Sequence, residues 1–81
     1  LLFKPHKPAI FYFIENESLS ARKVGITNSE ERRVRLSGFA HRGWTEVLII
    51  ESSQGEQILA LEKAILTWIR KDHSMPIFLT S

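Results

Sequence analysis

Glu62 is the residue whose position most needs a chemical reason. On a helix stepping about 100° per residue, with Ile58 at zero, Leu59, Leu61, Ile65, Leu66, Trp68 and Ile69 fill one apolar arc. Glu62 falls inside that arc at about 40°, whereas Lys63, Arg70 and Lys71 fall outside it. An ionised carboxylate on a core face is costly unless it is paired, hydrogen-bonded or bound to a metal, and left alone it takes up a proton. Two readings follow: a structural salt bridge to an arginine of an earlier helix, or a metal ligand at the bottom of a cleft.

Other side chains that could share chemistry with it come earlier in the chain. Tyr12 sits inside an apolar run, either as a core residue with a hydrogen-bonded hydroxyl or with that hydroxyl in a site. Lys23 is either a solvated edge lysine or a phosphate contact. Arg32, Arg33 and Arg35 form a charge run, by default a solvated helix face. Leu36 and Phe39 follow Arg32 at i+4 and i+7, so periodicity does not choose which arginine turns inward. His6, His41 and His73 are too dispersed for an i, i+4 metal pair. Trp44 and Trp68 read as core residues before base-stacking platforms.

The elements that must position these residues are legible in outline. Ala9 to Glu15 is aromatic and β-branched on both faces, which describes a strand covered on both sides. Asn16-Glu17-Ser18-Leu19-Ser20 is turn chemistry, and Arg22 to Thr27 reads as the second strand of a hairpin. Asn28 and Glu31 have capping-box spacing for a helix running to about Ser37, with Gly38 as its C′ residue. A third strand is expected from about Trp44 to Glu51. Ser53 and Glu56 then open a long helix from about Gln54 to Asp72, which Pro76 cannot continue. The order is β-β-α-β-α with a short extended tail, an α+β fold with a small, mostly antiparallel three-stranded sheet flanked by helices. Residues 1–8 read as an arm or linker, and 9–81 as one domain.

Composition narrows the classes. The 81 residues carry 11 Lys+Arg and 9 Asp+Glu, a formal net charge of +2, with 43% hydrophobic and 25% charged residues. That is ordinary globular usage and excludes a disordered tail, a collagen-like chain or a coiled coil. No cysteine is present, which removes disulfides, thiol catalysis and Cys-based zinc sites. No apolar run approaches the roughly 20 residues needed to cross a bilayer, and a cytoplasmic protein without a membrane partner is expected. A sequence pI near 9.3 fits a nucleic-acid partner, and the basic segment Arg32, Arg33, Arg35, His41, Arg42 is where that charge concentrates. The only methionine is Met75, so we expect a domain of a longer chain with further domains beside it.

Taken in order, these residues resemble the GIY-YIG nuclease superfamily, in the branch whose second motif begins with lysine. Phe11-Tyr12-Phe13 stands at the first motif, without its glycine. Lys23-Val24-Gly25-Ile26-Thr27 stands at the second and is followed by Arg33. Ala60-Leu61-Glu62, then Ile65-Leu66, resembles the helix that carries the metal-binding glutamate. The resemblance covers roughly Ile10 to Arg70. It implies a metal-dependent DNA endonuclease that hydrolyses phosphodiester bonds with Mg²⁺ or Mn²⁺ and needs no small-molecule cofactor. Glu62 would hold the metal and Arg33 would face the developing charge. Tyr12 would take or orient the proton of the attacking water, with Lys23 beside it. Arg32, Arg35, His41 and Arg42, with the arm residues Lys4, His6 and Lys7, would contact the nucleic-acid backbone. The alternatives are a catalytically idle domain of the same fold that binds nucleic acid, or a structural or protein-interaction domain.

Overall fold

Apolar side chains at both odd and even positions from 9 to 14 need cover on two sides, and the fold supplies it with one helix against each face of a sheet. The computed structural model describes residues 3–72 and 77–80. Strand β1, Ala9–Asn16, lies at the centre and pairs antiparallel with β2, Ala21–Asn28, and with β3, Thr45–Ser52. A short 3-10 turn at Ser29–Glu31 leads into helix α1, Arg32–Ala40, and helix α2 spans Gly55–Asp72. The expected α+β order is therefore present. The tail adds strand β4, Ile77–Thr80, which runs parallel to β2 and makes the sheet order β3-β1-β2-β4. It supplies partners to backbone groups that β2 would otherwise expose on that edge. His73, Pro76 and the first two residues lie outside the described residues, as do the side chains of Arg70 and Lys71.

The two faces of β1 sort the core. Ile10, Tyr12 and Ile14 pack with Phe39 of α1, joined by Leu36, Trp44 and Ile49. Ala9 and Phe11 pack with Val24, Ile26 and Ile58 of α2, joined by Phe3, Leu59, Leu61, Ile65 and Leu66. Alternation along a strand sends neighbouring side chains to opposite faces, so α1 and α2 cover opposite sides of the sheet. On β3, Phe13 pairs with Leu48 and Ile14 with Glu46, leaving Val47 as the extra residue of a bulge.

Three local expectations are corrected. Gly38 lies within α1, and Gly43, at φ +90°, is the glycine that turns the chain toward β3. Asn16 holds that turn: its Nδ2 donates to Arg42 O at 3.1 Å, and its Oδ1 accepts from Leu19 N. Asn28 caps no helix. Its side chain instead clamps the N-terminal arm, accepting from Lys4 N at 2.8 Å and donating to Lys4 O at 2.8 Å. The expected Ser53–Glu56 box is likewise replaced, because the first amides of α2 donate to the arm: Gly55 N to Lys7 O and Glu56 N to Pro5 O, each at 2.9 Å. Those arm carbonyls satisfy amides that an α-helix leaves unpaired at its start. A Cβ at Gly55 would lie 2.8–2.9 Å from the carbonyl oxygens of Lys4, Pro5 and Lys7, so this seat requires glycine.

Candidate functional site

The α1 side carries most of the residues singled out in the sequence. Tyr12 stands opposite Gly25 in the hairpin and is 0% exposed, its ring tilted 46° to that of Phe39 at 5.6 Å. A side chain with no exposure is part of the core, and its phenol has no open path to a substrate in this structure. Lys23 stands opposite Ile14 and so points to the same side. Its ammonium lies 4.5 Å from the centre of the Phe39 ring and 4.8 Å from that of Trp44. Burial, and then the nearby Arg42 guanidinium, push the Lys23 pKa down from its ordinary value.

Arg42 shares that aromatic platform, with its guanidinium carbon 5.8 Å from the Phe39 ring centre. Its Nε donates to Gly38 O at 3.2 Å, which ties the side chain back to α1. His41 beside it is exposed. Arg32 and Arg33 lie in the first turn of α1 and line an open groove of about 410 Å³ with Ser29, Leu36, Ser37, Ala40 and Glu46. Arg35 lies on the same helix, half-buried.

Among the described residues, the ion pairs lie elsewhere. Lys4 and Lys7 of the arm share Glu30, at 3.4 and 3.8 Å, and Arg22 meets Glu15 across the hairpin at 3.2 Å. No carboxylate pairs with Lys23, Arg32, Arg33, Arg35 or Arg42 among the described residues. The local sequence explains the difference. Acidic residues precede α1 at Glu30 and Glu31, whereas Arg32–Ala40 contains none.

Glu62 is buried, 9% exposed, as the helical pattern places it. It follows Ile58 by one turn on α2, whose core face meets Phe11, Val24 and Ile26. It therefore lies across the sheet from Tyr12, Lys23 and α1. The structural salt bridge to a first-helix arginine is not formed, and among the described residues its carboxylate has no hydrogen-bond or ion-pair partner. Burial raises its pKa above the usual carboxylate range, with the neighbouring Lys63 charge pulling the other way.

The structure thus brings Tyr12, Lys23 and Arg42 around Phe39, places Arg32 and Arg33 along the adjoining groove, and leaves Glu62 on the opposite face. One site that joins Tyr12, Lys23 and Arg33 to a Mg²⁺ or Mn²⁺ held by Glu62 does not fit this arrangement. Among the described residues, no group of three or more His, Asp or Glu side chains could hold a metal ion. Also among them, no helix is long and apolar enough to cross a membrane. Sequence reasoning missed Phe39 and Trp44 as the platform for Lys23. Their hydrophobicity signalled only burial, and the pairing that aims Lys23 at them spans more than 15 residues. Compared with family profiles, curated proteins and solved structures, the chain matches none.

Proposed function

We propose that this chain is a GIY-YIG-like domain that binds DNA through the α1 side of its sheet, by contacts to the phosphate backbone. One observation carries this reading: Lys23, Arg32, Arg33, Arg35 and Arg42, all on or beside α1, have no carboxylate partner among the described residues, whereas Lys4 and Lys7 of the arm and Arg22 of the hairpin do, and Lys63, also without one, stands apart on α2. Unpaired guanidinium and ammonium groups gathered on one side are suited to phosphate oxygens, and displacing condensed counterions drives such binding. The placement of the two tripeptides on adjacent antiparallel strands, with Tyr12 opposite Gly25, supports the family likeness. Tyr12 serves as core and contacts no phosphate in this reading.

The test is fluorescence anisotropy of a labelled duplex across a salt series. Each phosphate contact contributes about −0.9 to the slope of log K against log salt. The variant Arg32→Gln/Arg33→Gln/Arg42→Gln should bind more weakly and with a slope shallower by about 3. A variant that binds like the parent, at every salt concentration, contradicts the reading.

A second reading, divalent-metal-dependent hydrolysis of DNA with Mg²⁺ or Mn²⁺ at Glu62, is favoured by that buried carboxylate and its lack of a polar partner among the described residues. The other candidate groups, Tyr12, Lys23 and Arg33, lie on the opposite side of the sheet from that carboxylate. Plasmid nicking with Mg²⁺ or Mn²⁺ that disappears in Glu62→Ala would favour this second reading over the first.

A further inference from the structure

We propose that Lys23 and Arg42, held around the rings of Phe39 and Trp44, form a seat for a single phosphoryl group. The inference rests on the DNA-binding reading for its ligand and deepens it by naming one subsite. Lys23 Nζ stands over both rings, and the Arg42 guanidinium stands over one of them. Two cations thus converge on the Phe39 ring, and among the described residues no carboxylate is in ion-pair contact with either. Glu46, opposite Ile14, is the acid that the register puts on that face. Such a pair repels itself, and that repulsion adds to burial, the larger cause, in lowering the Lys23 pKa. The rings offset part of this cost, since a cation is attracted to the face of an aromatic ring.

An anion between the two cations removes the repulsion, and a phosphoryl group suits the site for three reasons. A guanidinium presents paired donors to phosphate oxygens, and an ammonium serves as a compact charge beside it. Arg42 is already oriented by its Nε bond to Gly38 O, so little freedom is lost on binding. A terminal phosphomonoester carries close to two negative charges at neutral pH, whereas an internal diester carries one. Two cations therefore favour the strand end over the internal linkage, and the phosphoryl group itself is what the two sources share.

Trp44 provides the reporter. In a Trp68→Phe background, inorganic phosphate should change Trp44 emission, and a 12-nucleotide strand bearing a 5′-phosphate should bind about tenfold more tightly than its 5′-hydroxyl counterpart. Lys23→Gln and Arg42→Gln should each abolish both effects, Lys23→Arg should retain them, and Lys63→Gln, which alters an exposed lysine of α2, should leave them unchanged. If the parent and the Lys23→Gln variant bind both strands alike and phosphate leaves Trp44 emission unchanged, the seat is overturned, while the DNA-binding reading stands as long as the triple arginine variant still lowers the salt slope. Equal affinity for the two strands, but weakened in both variants, identifies the internal diester as the source and supports the seat. If no strand binds the parent, yet phosphate perturbs Trp44 in a manner that needs Lys23 and Arg42, the seat stands and the DNA reading falls.

Discussion

The two sides of the sheet do different work. On the α2 side, Phe11, Val24, Ile26 and Ile58 form a buried apolar cluster backed by five aliphatic or aromatic neighbours from α2 and the arm. On the α1 side the apolar layer ends at Phe39 and Trp44, and cations begin where it stops. The α2 side contains one buried acid with nothing to bond among the described residues, and the α1 side contains several bases without a carboxylate partner. The contrast teaches that an uncompensated charge is informative only together with its exposure. Glu62, buried at the core face of α2, bears on stability, and the partly exposed bases bear on binding.

Each difference can be broken. The largest effect is expected from Phe11→Ala, which removes a fully buried ring from the α2 side and should cost about 3–5 kcal/mol in urea unfolding. A loss below about 1 kcal/mol would show that this cluster is not the main core. Gly55→Ala comes next. It forces a methyl group against three backbone carbonyls and should cost about 1–3 kcal/mol, with loss of amide protection at Gly55 and Glu56. Stability equal to the parent would mean that the arm does not cap α2.

Glu62→Leu should stabilise the fold by about 1–3 kcal/mol at neutral pH, since it removes a buried polar group without a partner among the described residues. The pH dependence has a defined sign. Because the folded state raises the Glu62 pKa, its favoured protonated form is present below about pH 4.5, the ordinary glutamate value, and is lost as pH rises through the higher folded value. The advantage of Glu62→Gln over the parent should therefore grow with pH across that window and level off above it. A flat difference would mean that folding leaves the Glu62 pKa at its unfolded value. The smallest effect on stability belongs to Arg32→Gln and Arg33→Gln, each within about 0.5 kcal/mol, although each should lower the DNA salt slope by about 1.

Much of the fold could be read from the chain. Ile10, Tyr12 and Ile14 against Phe11 and Phe13 announced a central strand, and the 3.6-residue pattern put Glu62 on a buried face. The sides could not be read. Periodicity says which face of a helix is buried but not which face of the sheet receives it, and that choice separates Glu62 from Tyr12 and Lys23. The caps failed for a related reason. Asn28 has the sequence of a cap, but its amide satisfies backbone groups of Lys4, 24 residues away, a partner that no local motif encodes. Gly38 and Gly43 are both plausible helix ends, and only the buried Asn16, contributed by another strand, decides for the second.

The most direct measurement of the central claim is a titration of duplex DNA into isotope-labelled protein, followed through backbone amide shifts. Binding on the cationic side predicts that Lys23 and residues 32–44 move together with saturable, salt-sensitive changes, while residues 57–67 of α2 stay in place. Shifts centred on Glu62 and its neighbours, with Arg32, Arg33 and Arg42 silent, would contradict it.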